Sequence, residues 1–493
     1  NNDSTLSLVD SGAGDGLLTS AETVFQGPSV LAVDFGGVAS DVFRTESTLA
    51  IEAGARLALN QTGALTLNHR YVVAEALQGL TGEFDFDDIF LTAFAGLRDG
   101  YTDTQAYVEF AQLRALAEAG QTPNQKAAAG GADSLPDGTP VKDALLLLPT
   151  DEIARDAFDQ LSGEVHATAR MATMEDSRLP RDAVLDRLAE ADGTGAVWAR
   201  AFEGRGVGDG DSNAARADRD VRGVMAGVDR SLGGIATVGA AMGVLKSGVD
   251  VERRASEAEV ESVHGLIYGG VEQGAWRVSG GLGYARTVTE SRREIAFPGF
   301  SGAPTAEYDG SVLQGFVEAG YRMAASGGWA EPFASLAAVR VQSDAFVEDG
   351  GSEALSGERI DHDALISTLG LRFETNPAGR FSLRGMTGWR RNWSDVDPAG
   401  VHAFDGGAPF EVLGAAQSGD AAVARVEAHW RLSDRIGVGL GYDGVIGGQG
   451  DGRDAERGPA DGQTGVLHRR FALLERQRVE GALELEDGFV GGE

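Results

Sequence analysis

Trp276-Arg277-Val278-Ser279-Gly280-Gly281-Leu282-Gly283-Tyr284-Ala285 decides how this chain is read. Trp276, Val278, Leu282 and Tyr284 share one parity, and Arg277, Ser279, Gly281 and Gly283 share the other. A strand turns successive side chains to opposite faces, so the segment has one apolar face and one polar or glycine face. Phe381-Ser382-Leu383-Arg384-Gly385-Met386-Thr387-Gly388-Trp389-Arg390 repeats the pattern, with Arg384 and Arg390 on the polar side. In Ala422-Val423-Ala424-Arg425-Val426-Glu427-Ala428-His429-Trp430-Arg431, the residues Arg425, Glu427, His429 and Arg431 all fall on one face.

Which face meets water sets the architecture. A soluble sandwich turns the apolar face inward and holds large aromatics in mid-strand. Here Trp198, Trp276, Trp329, Trp389, Trp430 and Tyr442 stand near segment ends, where a membrane barrel carries its aromatic girdles. The expectation is an all-β fold, a transmembrane antiparallel β-barrel whose apolar face meets lipid. Trp276, Leu282, Tyr284, Trp389, Trp430 and Tyr442 are assigned to the lipid face or girdle. Arg277, Ser279, Arg384, Arg425, Glu427 and Arg431 are assigned to a wet lumen.

Eleven strands are expected between residues 196 and 446, at Val197–Glu203, Arg219–Arg230, Gly234–Ser247, Glu257–Gln273, Ala275–Thr289, Tyr308–Met323, Trp329–Asp344, Asp363–Asn376, Gly379–Trp389, Ala421–Leu432 and Arg435–Ile446. Short links such as Ser326-Gly327-Gly328 alternate with long ones at Gly204–Asp218, Ser291–Glu307 and Asp395–Asp420. Short turns at one end and long loops at the other are the asymmetry of outer-membrane barrels.

Upstream, residues 1–110 hold short β-type runs at uneven spacing and no Trp, which suggests the last rungs of a β-solenoid. A small independent sandwich is the competing reading. Residues 111–195 read as a helical linker. Phe110, Leu113, Leu116 and Ala117 recur at helical spacing, and further helices are expected at Asp151–Leu161, Gly163–Met174 and Arg181–Glu190. The last is opened by Pro180, and proline suits a first helical turn. It carries Arg181, Asp182, Asp186, Arg187 and Glu190 around a thin Val184 and Leu188 stripe, so it belongs in water or in a water-filled barrel.

The charge balance, 42 − 75 = −33, opposes a nucleic-acid partner, which needs a basic footprint. The absence of Cys removes disulfides, thiolate catalysis and Cys-ligated metals. The seven His are scattered, with no pair at helical ligand spacing, and no G-x-S-x-G elbow is present. No cofactor, metal or catalytic residue is expected. The longest aliphatic run, Ala144–Leu148, is far short of the roughly 20 residues of a membrane helix. The chain opens at Asn1 without Met or a signal peptide and is expected to be a fragment or processed form.

Val197-Trp198-Ala199-Arg200-Ala201-Phe202, Gly223-Val224-Met225-Ala226-Gly227-Val228-Asp229, Gly265-Leu266-Ile267-Tyr268-Gly269-Gly270 and Gly439-Leu440-Gly441-Tyr442-Asp443-Gly444 resemble, in this order, the β-domain of bacterial autotransporters (type V secretion). Gln121–Lys126 and Leu161–His166 resemble the linker of that family, and residues 45–110 the end of its β-helical passenger. The resemblance implies about twelve strands in the outer membrane of a Gram-negative bacterium, with Arg181–Glu190 as a helix inside the pore. It implies a translocator that exports or anchors its passenger at the cell surface. It also implies outer-membrane lipid, the barrel-assembly machinery and periplasmic chaperones as partners, with a monomeric barrel. Rival readings are a surface adhesin or solenoid anchored by the barrel, and an enzyme whose catalytic passenger lies upstream. Some autotransporters cut the passenger free with an activated Asn on the pore helix. Asp176–Glu190 has no Asn, so the passenger is expected to stay tethered.

The tail departs from the family. Residues 447–493 are expected to be atypical, frame-shifted or partly disordered, with Leu467, Phe471 and Leu474 at helical spacing. Edges would then stay unpaired at Ala196–Glu203 and Arg435–Ile446. The alternative is a divergent twelfth strand within 464–481.

Overall fold

The computed structural model describes residues 4–190, 195–208, 210–394, 398–415, 418–433, 436–448, 472–473, 475–478 and 480–485. Twelve strands form the principal sheet: β1 Ala196–Gly208, β2 Ala217–Leu232, β3 Ala236–Val251, β4 Ser256–Gln273, β5 Trp276–Arg293, β6 Thr305–Tyr321, β7 Gly328–Ser343, β8 Ile360–Thr375, β9 Phe381–Asn392, β10 Asp420–Arg431, β11 Ile436–Gly448 and β12, in two pieces, Glu475–Arg478 and Glu480–Leu485. Each pairs antiparallel with the next. Closure comes from β12, which pairs Val197–Ala201 of β1 on one side and Ile436–Gly441 of β11 on the other.

That closure corrects the expectation of open edges at Ala196–Glu203 and Arg435–Ile446. The tail supplies the last strand, at 475–485, and not a helix there. Backbone pairing overrides the helical spacing because two strand edges beside lipid must be satisfied. The expected helical residues Leu467, Phe471 and Leu474 lie outside the described residues.

Side-chain parity follows the sequence pattern around the ring. Trp276, Leu282, Tyr284 and Trp389 are 55–60% exposed on the outer surface, whereas Arg277 is 3% exposed within. Along β5 the outward apolar run covers 276–284, and Arg286, Glu290 and Arg292 continue the same face beyond it. Nine residues match the ~9–11 that a tilted strand needs to cross hydrocarbon. The strands therefore project past the membrane at one end. Trp276 packs edge-on to Tyr321 (5.1 Å) and Phe381 against Trp430 (5.4 Å) at the opposite rim. Two of the expected girdle tryptophans turn inward instead. Trp198 is 2% exposed and donates to Tyr268 Oη at 2.7 Å, and Trp329 donates to Glu374. Parity, not nearness to a strand end, set their direction.

Short turns join β2–β3, β4–β5, β6–β7, β8–β9 and β10–β11 at the end where β1 begins. Gly233 and Gly234, both at positive φ, close the first of these. The other end carries the long connections, and among the described residues three of these fold into hairpins, Ile295–Phe297 with Phe300–Gly302, Phe346–Val347 with Leu355–Gly357, and Ala399–Phe404 with Phe410–Leu413. Strands β1 and β2 also run further into the expected 204–218 loop, to Gly208 and from Ala217.

The N-terminal region is a three-rung parallel solenoid. Thr5–Ser7, Val30–Gly37 and Arg56–Leu65 stack on one face, Thr23–Phe25, Leu49–Ile51 and Leu80–Thr81 on a second, and Gly16–Thr19, Val42–Thr45 and His69–Ala76 on the third. Leu31, Val33, Phe43, Leu49 and Tyr71 fill its core. The last rung is closed by antiparallel strands Gln105–Gln112 and Ala95–Tyr101. Gln105–Gln112 corrects the helical reading of Phe110: Ala106, Val108 and Phe110 are buried at a two-residue period, and only a 3₁₀ turn, Leu116–Ala119, follows.

Five helices come next: α1 Pro123–Asp133, α2 Pro140–Leu146, α3 Asp151–Leu161, α4 Glu164–Asp176 and α5 Arg178–Glu190. A capping box, Thr122 with Gln125, and Pro123 start α1. Helix α5 begins two residues before Pro180, with only Ser177 separating it from α4. One hydrophobic core runs from the solenoid through α1–α3 to Ile295, Leu355, Phe404, Phe410 and Val412 of the long connections.

Hydrocarbon contact on the outer face has a direct test. Leu282→Arg, near the middle of the apolar run, is expected to cost ~2–4 kcal/mol in folding titrations in lipid vesicles, and Thr375→Arg at the rim under ~1 kcal/mol. Equal costs at the two positions would contradict the assignment.

Candidate pore and its helical plug

Helices α4 and α5 thread the barrel end to end. Helix α4 lies at the long-connection end, where Val165, Ala169 and Ala172 pack on Val249, Val251, Ala258 and Val260. Helix α5 reaches the short-turn end, where Arg322 donates to the carbonyl of Ala189 at 2.8 Å, satisfying a terminal acceptor of the helix. The plug is thus longer than the Arg181–Glu190 segment the sequence suggested; α4 belongs to it. Small residues make α4 thin enough to enter, and its side chains are buried on nearly every side.

Helix α5 has two sides of different chemistry. Ala183, Val184 and Leu188 sit against Trp198, Phe202, Met225, Leu266 and Phe316. Trp198 lies flat over Gly227, where a Cβ would stand 2.5 Å from its ring. The other side carries Asp182, Asp186 and Glu190, four residues apart and therefore in one stripe. Arginines reach that stripe from three strands. Arg425 on β10 holds Asp182 (3.3 Å) and Asp186. Arg200 on β1 holds Asp186 (2.9 Å) and Glu190 (3.3 Å), and Arg384 on β9 holds Glu190 (2.6 Å).

A second clamp stands at the helix end. Arg187 donates to both oxygens of Asp229, at 2.8 and 3.0 Å. Asp229 also accepts from Tyr268 Oη (3.2 Å) and from the backbone N–H of Ala196, the first residue of β1. One carboxylate thereby fixes both the last turn of the plug and the first residue of the barrel. Higher up, Arg390 holds Glu175 through two bonds, Arg219 and Ser247 hold Asp176, and Arg178 reaches Asp443. At the bend between the helices, Gln314 donates to the Ser177 carbonyl and accepts from Arg181.

The residues singled out from the sequence fall as follows. Arg181, Asp182, Asp186, Arg187 and Glu190 all lie on the helix in the lumen. Arg384 and Arg425 meet its carboxylates, and Glu427 and Ser279 face the lumen wall. Arg277 does not meet the helix; it bonds Glu318 and Glu331, which Arg372 also holds, so it braces wall to wall. Arg431 shares the inward parity but stands past the rim, exposed, and donates to the Pro377 carbonyl. Outside, Trp276, Leu282, Tyr284, Trp389, Trp430 and Tyr442 are all exposed. Sequence reading passed over Arg200, Asp229 and the α4 carboxylates. Arg200 was legible in principle, since it alternates with Trp198 and Phe202 on the inward parity of β1.

Over the mouth, His166 of α4 stacks on Phe346 (4.1 Å), with its Nε2 3.0 Å from Glu348 Oε1. Arg293 donates twice to the same carboxylate. Burial pushes Glu348 up, but Arg293 and His166 outweigh it and hold the group well below the usual carboxylate range. Among the described residues no three His, Asp or Glu stand close enough to hold a metal ion.

A family model described as the autotransporter beta-domain matches residues 197–443. Two curated relatives, both named extracellular serine protease from Serratia marcescens, are similar to the chain. One is 27% identical over 63% of this chain and 31% of its own length, the other 24% identical over 81% and 43%. The chain spans under half the length of either. Among solved structures, the translocator domain of the autotransporter NalP from Neisseria meningitidis aligns with a TM-score of 0.51 at 16% identity, over 66% of this chain and 99% of that one.

The clamp predicts an asymmetry. Asp229→Ala leaves Arg187 buried without its carboxylate and is expected to lower barrel stability by ~3–5 kcal/mol in urea titrations. Lys246→Ala, in the exposed contacts with Glu259 and Glu261, is expected to change it by less than ~1 kcal/mol.

Proposed function

The chain belongs to the autotransporter β-domain family, and we propose that its barrel delivers a passenger to the cell surface and keeps it tethered there. It is an outer-membrane translocator. The observation that carries the surface reading is the direction of the chain through the pore. The solenoid and α1–α3 lie at the end of the long connections, α4–α5 run inward from there, and β1 starts at the short-turn end. In outer-membrane barrels long connections face outside and short turns face the periplasm. A passenger emerging through this barrel stands outside the cell.

The step needs no bond chemistry. The last segment to enter, α4–α5, stays in the lumen because its carboxylates meet the wall arginines, and the fused core above the mouth opposes retreat. Folding of the solenoid outside supplies the bias. Outer-membrane lipid is the solvent of the barrel, and the assembly machinery and periplasmic chaperones are the partners through which such a strand set is inserted, as a monomer. No nucleic-acid partner is proposed for a chain of net charge −33.

No Asn occurs from Glu164 to Glu190, so the plug lacks the side chain for self-cleavage, and the passenger stays covalently attached. On whole cells, an antibody to residues 4–112 is expected to label the surface, and outer-membrane fractions to show one full-length species whose gel mobility shifts on heating. A released passenger fragment, or labelling only after permeabilisation, would contradict the proposal.

The relatives' name favours a second layer of the reading: that in the whole protein the exported part is a serine protease and the chemistry lies outside this translocator. A fluorophosphonate probe applied to intact cells is expected to label the whole protein, with no labelling of the barrel and linker expressed alone.

A further inference from the structure

The cap above the mouth holds a histidine that the translocation mechanism does not use. His402 lies in the Ala399–Leu413 hairpin and is 2% exposed, and neither of its ring nitrogens has a hydrogen-bond partner. The hairpin seals the mouth by packing on α1 and α4. Phe410 rests on Gly131 of α1, Asn124 donates to the Leu413 carbonyl (2.7 Å) and accepts from its N–H (2.9 Å), and Arg170 of α4 donates to the Ala399 carbonyl (2.7 Å).

The groups facing His402 are poorly suited to a proton there. His166, 5.6 Å away between ring centres, and Arg170 come from α4. Arg293 comes from β5, and Glu348 from the 344–359 connection. Tyr308 of β6 lies behind His166. Glu348 is the one carboxylate among those facing groups, and it already accepts from Arg293 Nε and Nη2, from the Leu355 N–H and from His166. Glu353, on the same connection, turns its carboxylate to the Gly351 N–H. Asp405 and Glu411 of the hairpin itself are exposed to solvent. A proton on His402 therefore adds a cation beside Arg170 and Arg293 with no acceptor to receive it.

We propose that the cap is an acid-released latch, in which protonation of His402 lifts the Ala399–Leu413 hairpin off α1 and α4. Burial, followed by His166, depresses the His402 pKa well below its ordinary value of 6.5 in the docked state. The undocked hairpin binds the proton at that ordinary value. Docking is therefore complete above pH 6.5 and weakens about tenfold for each pH unit below it, until the docked pKa is reached. Glu164, at the start of α4, has the opposite sign. Burial raises it to about 7 against the pull of Arg254, so acid favours its buried form. Acid loosening of the cap thus belongs to histidine.

Hydrogen exchange on the full chain in detergent micelles, between pH 8.0 and 5.0, tests this. After correction for intrinsic rates, amides of the Ala399–Leu413 hairpin are expected to gain about tenfold in exchange per pH unit below 6.5, while those of β5 and α5 stay flat. His402→Phe is expected to abolish the rise and His166→Gln to retain it. If His402→Phe fails to give a heat-modifiable barrel, His402→Gln, neutral throughout, is read in its place. A flat wild-type profile, a rise that survives removal of His402, or one that vanishes only with His166 overturns the proposal.

Discussion

Hydrocarbon offers backbone amides no partner, and every strand of this barrel answers to that fact. A ring can satisfy the demand only if its last strand pairs with its first. The residues of β12 carry few marks of a strand, with charge throughout Glu475–Arg478 and again at Glu480 and Glu484. Glu480–Leu485 nonetheless pairs on both sides, with β1 and with β11, and Glu475–Arg478 pairs with β1. Intrinsic preference is a small term beside two rows of unpaired amides facing lipid. Once the ring closes, alternation fixes the rest within the apolar belt: one parity meets lipid, and the arginines of the other, Arg200, Arg277, Arg384 and Arg425 among them, turn to the lumen.

The lumen is then a narrow space into which arginines reach from several strands, and an empty one would be a leak. Helix α5 resolves both problems. Its apolar side fills space against Trp198 and Phe316, and its acidic stripe neutralises Arg200, Arg384 and Arg425. The charge is arranged with reach in mind. On the acidic side the long arginines extend from the wall and meet the shorter Asp182, Asp186 and Glu190, whereas Arg178, Arg181 and Arg187 of α5 itself reach outward to Asp443, Gln314 and Asp229. Buried ion pairs of this kind add little net stability relative to apolar packing, because desolvation offsets most of the attraction. They act through specificity: a helix shifted by one residue would bring its acidic stripe out of line with the arginines.

The barrel was legible because period-two alternation survives in single strands, and Trp276 to Tyr284 carries it without interruption. The pore helix was legible because Asp182, Asp186 and Glu190 repeat every four residues on a segment too polar for a core. What escaped was set by distant partners. Parity turns Trp198 inward, and what receives it there, the bare Gly227 and the Tyr268 hydroxyl, is far from it in sequence. Phe110 is spaced from Leu113 and Leu116 like a helical residue but pairs as a strand, because the last solenoid rung needs a lid. Helix α4 looked like a linker helix, since nothing local distinguishes a helix buried by a barrel from one buried by its neighbours. Asp229 accepts four hydrogen bonds from three residues, yet a lone Asp between Val228 and Arg230 gives no signal of them.

The cap ties these parts together. Its core is continuous from the solenoid to the tips of the long connections, so the passenger's end and the barrel's mouth cannot be ordered separately. Phe404, Phe410 and Leu355 belong to connections between barrel strands, whereas Leu116, Leu145 and Phe158 belong to the segment upstream of the plug. Each set leaves its apolar side chains in water until the other arrives. The long connections therefore present an apolar surface that the upstream segment covers, and covering it removes apolar area from water at that end of the barrel alone. In the lumen α5 combines apolar contacts with ion pairs whose attraction is largely balanced by desolvation, whereas the cap is held by apolar burial set against the entropy of ordering both sets of segments.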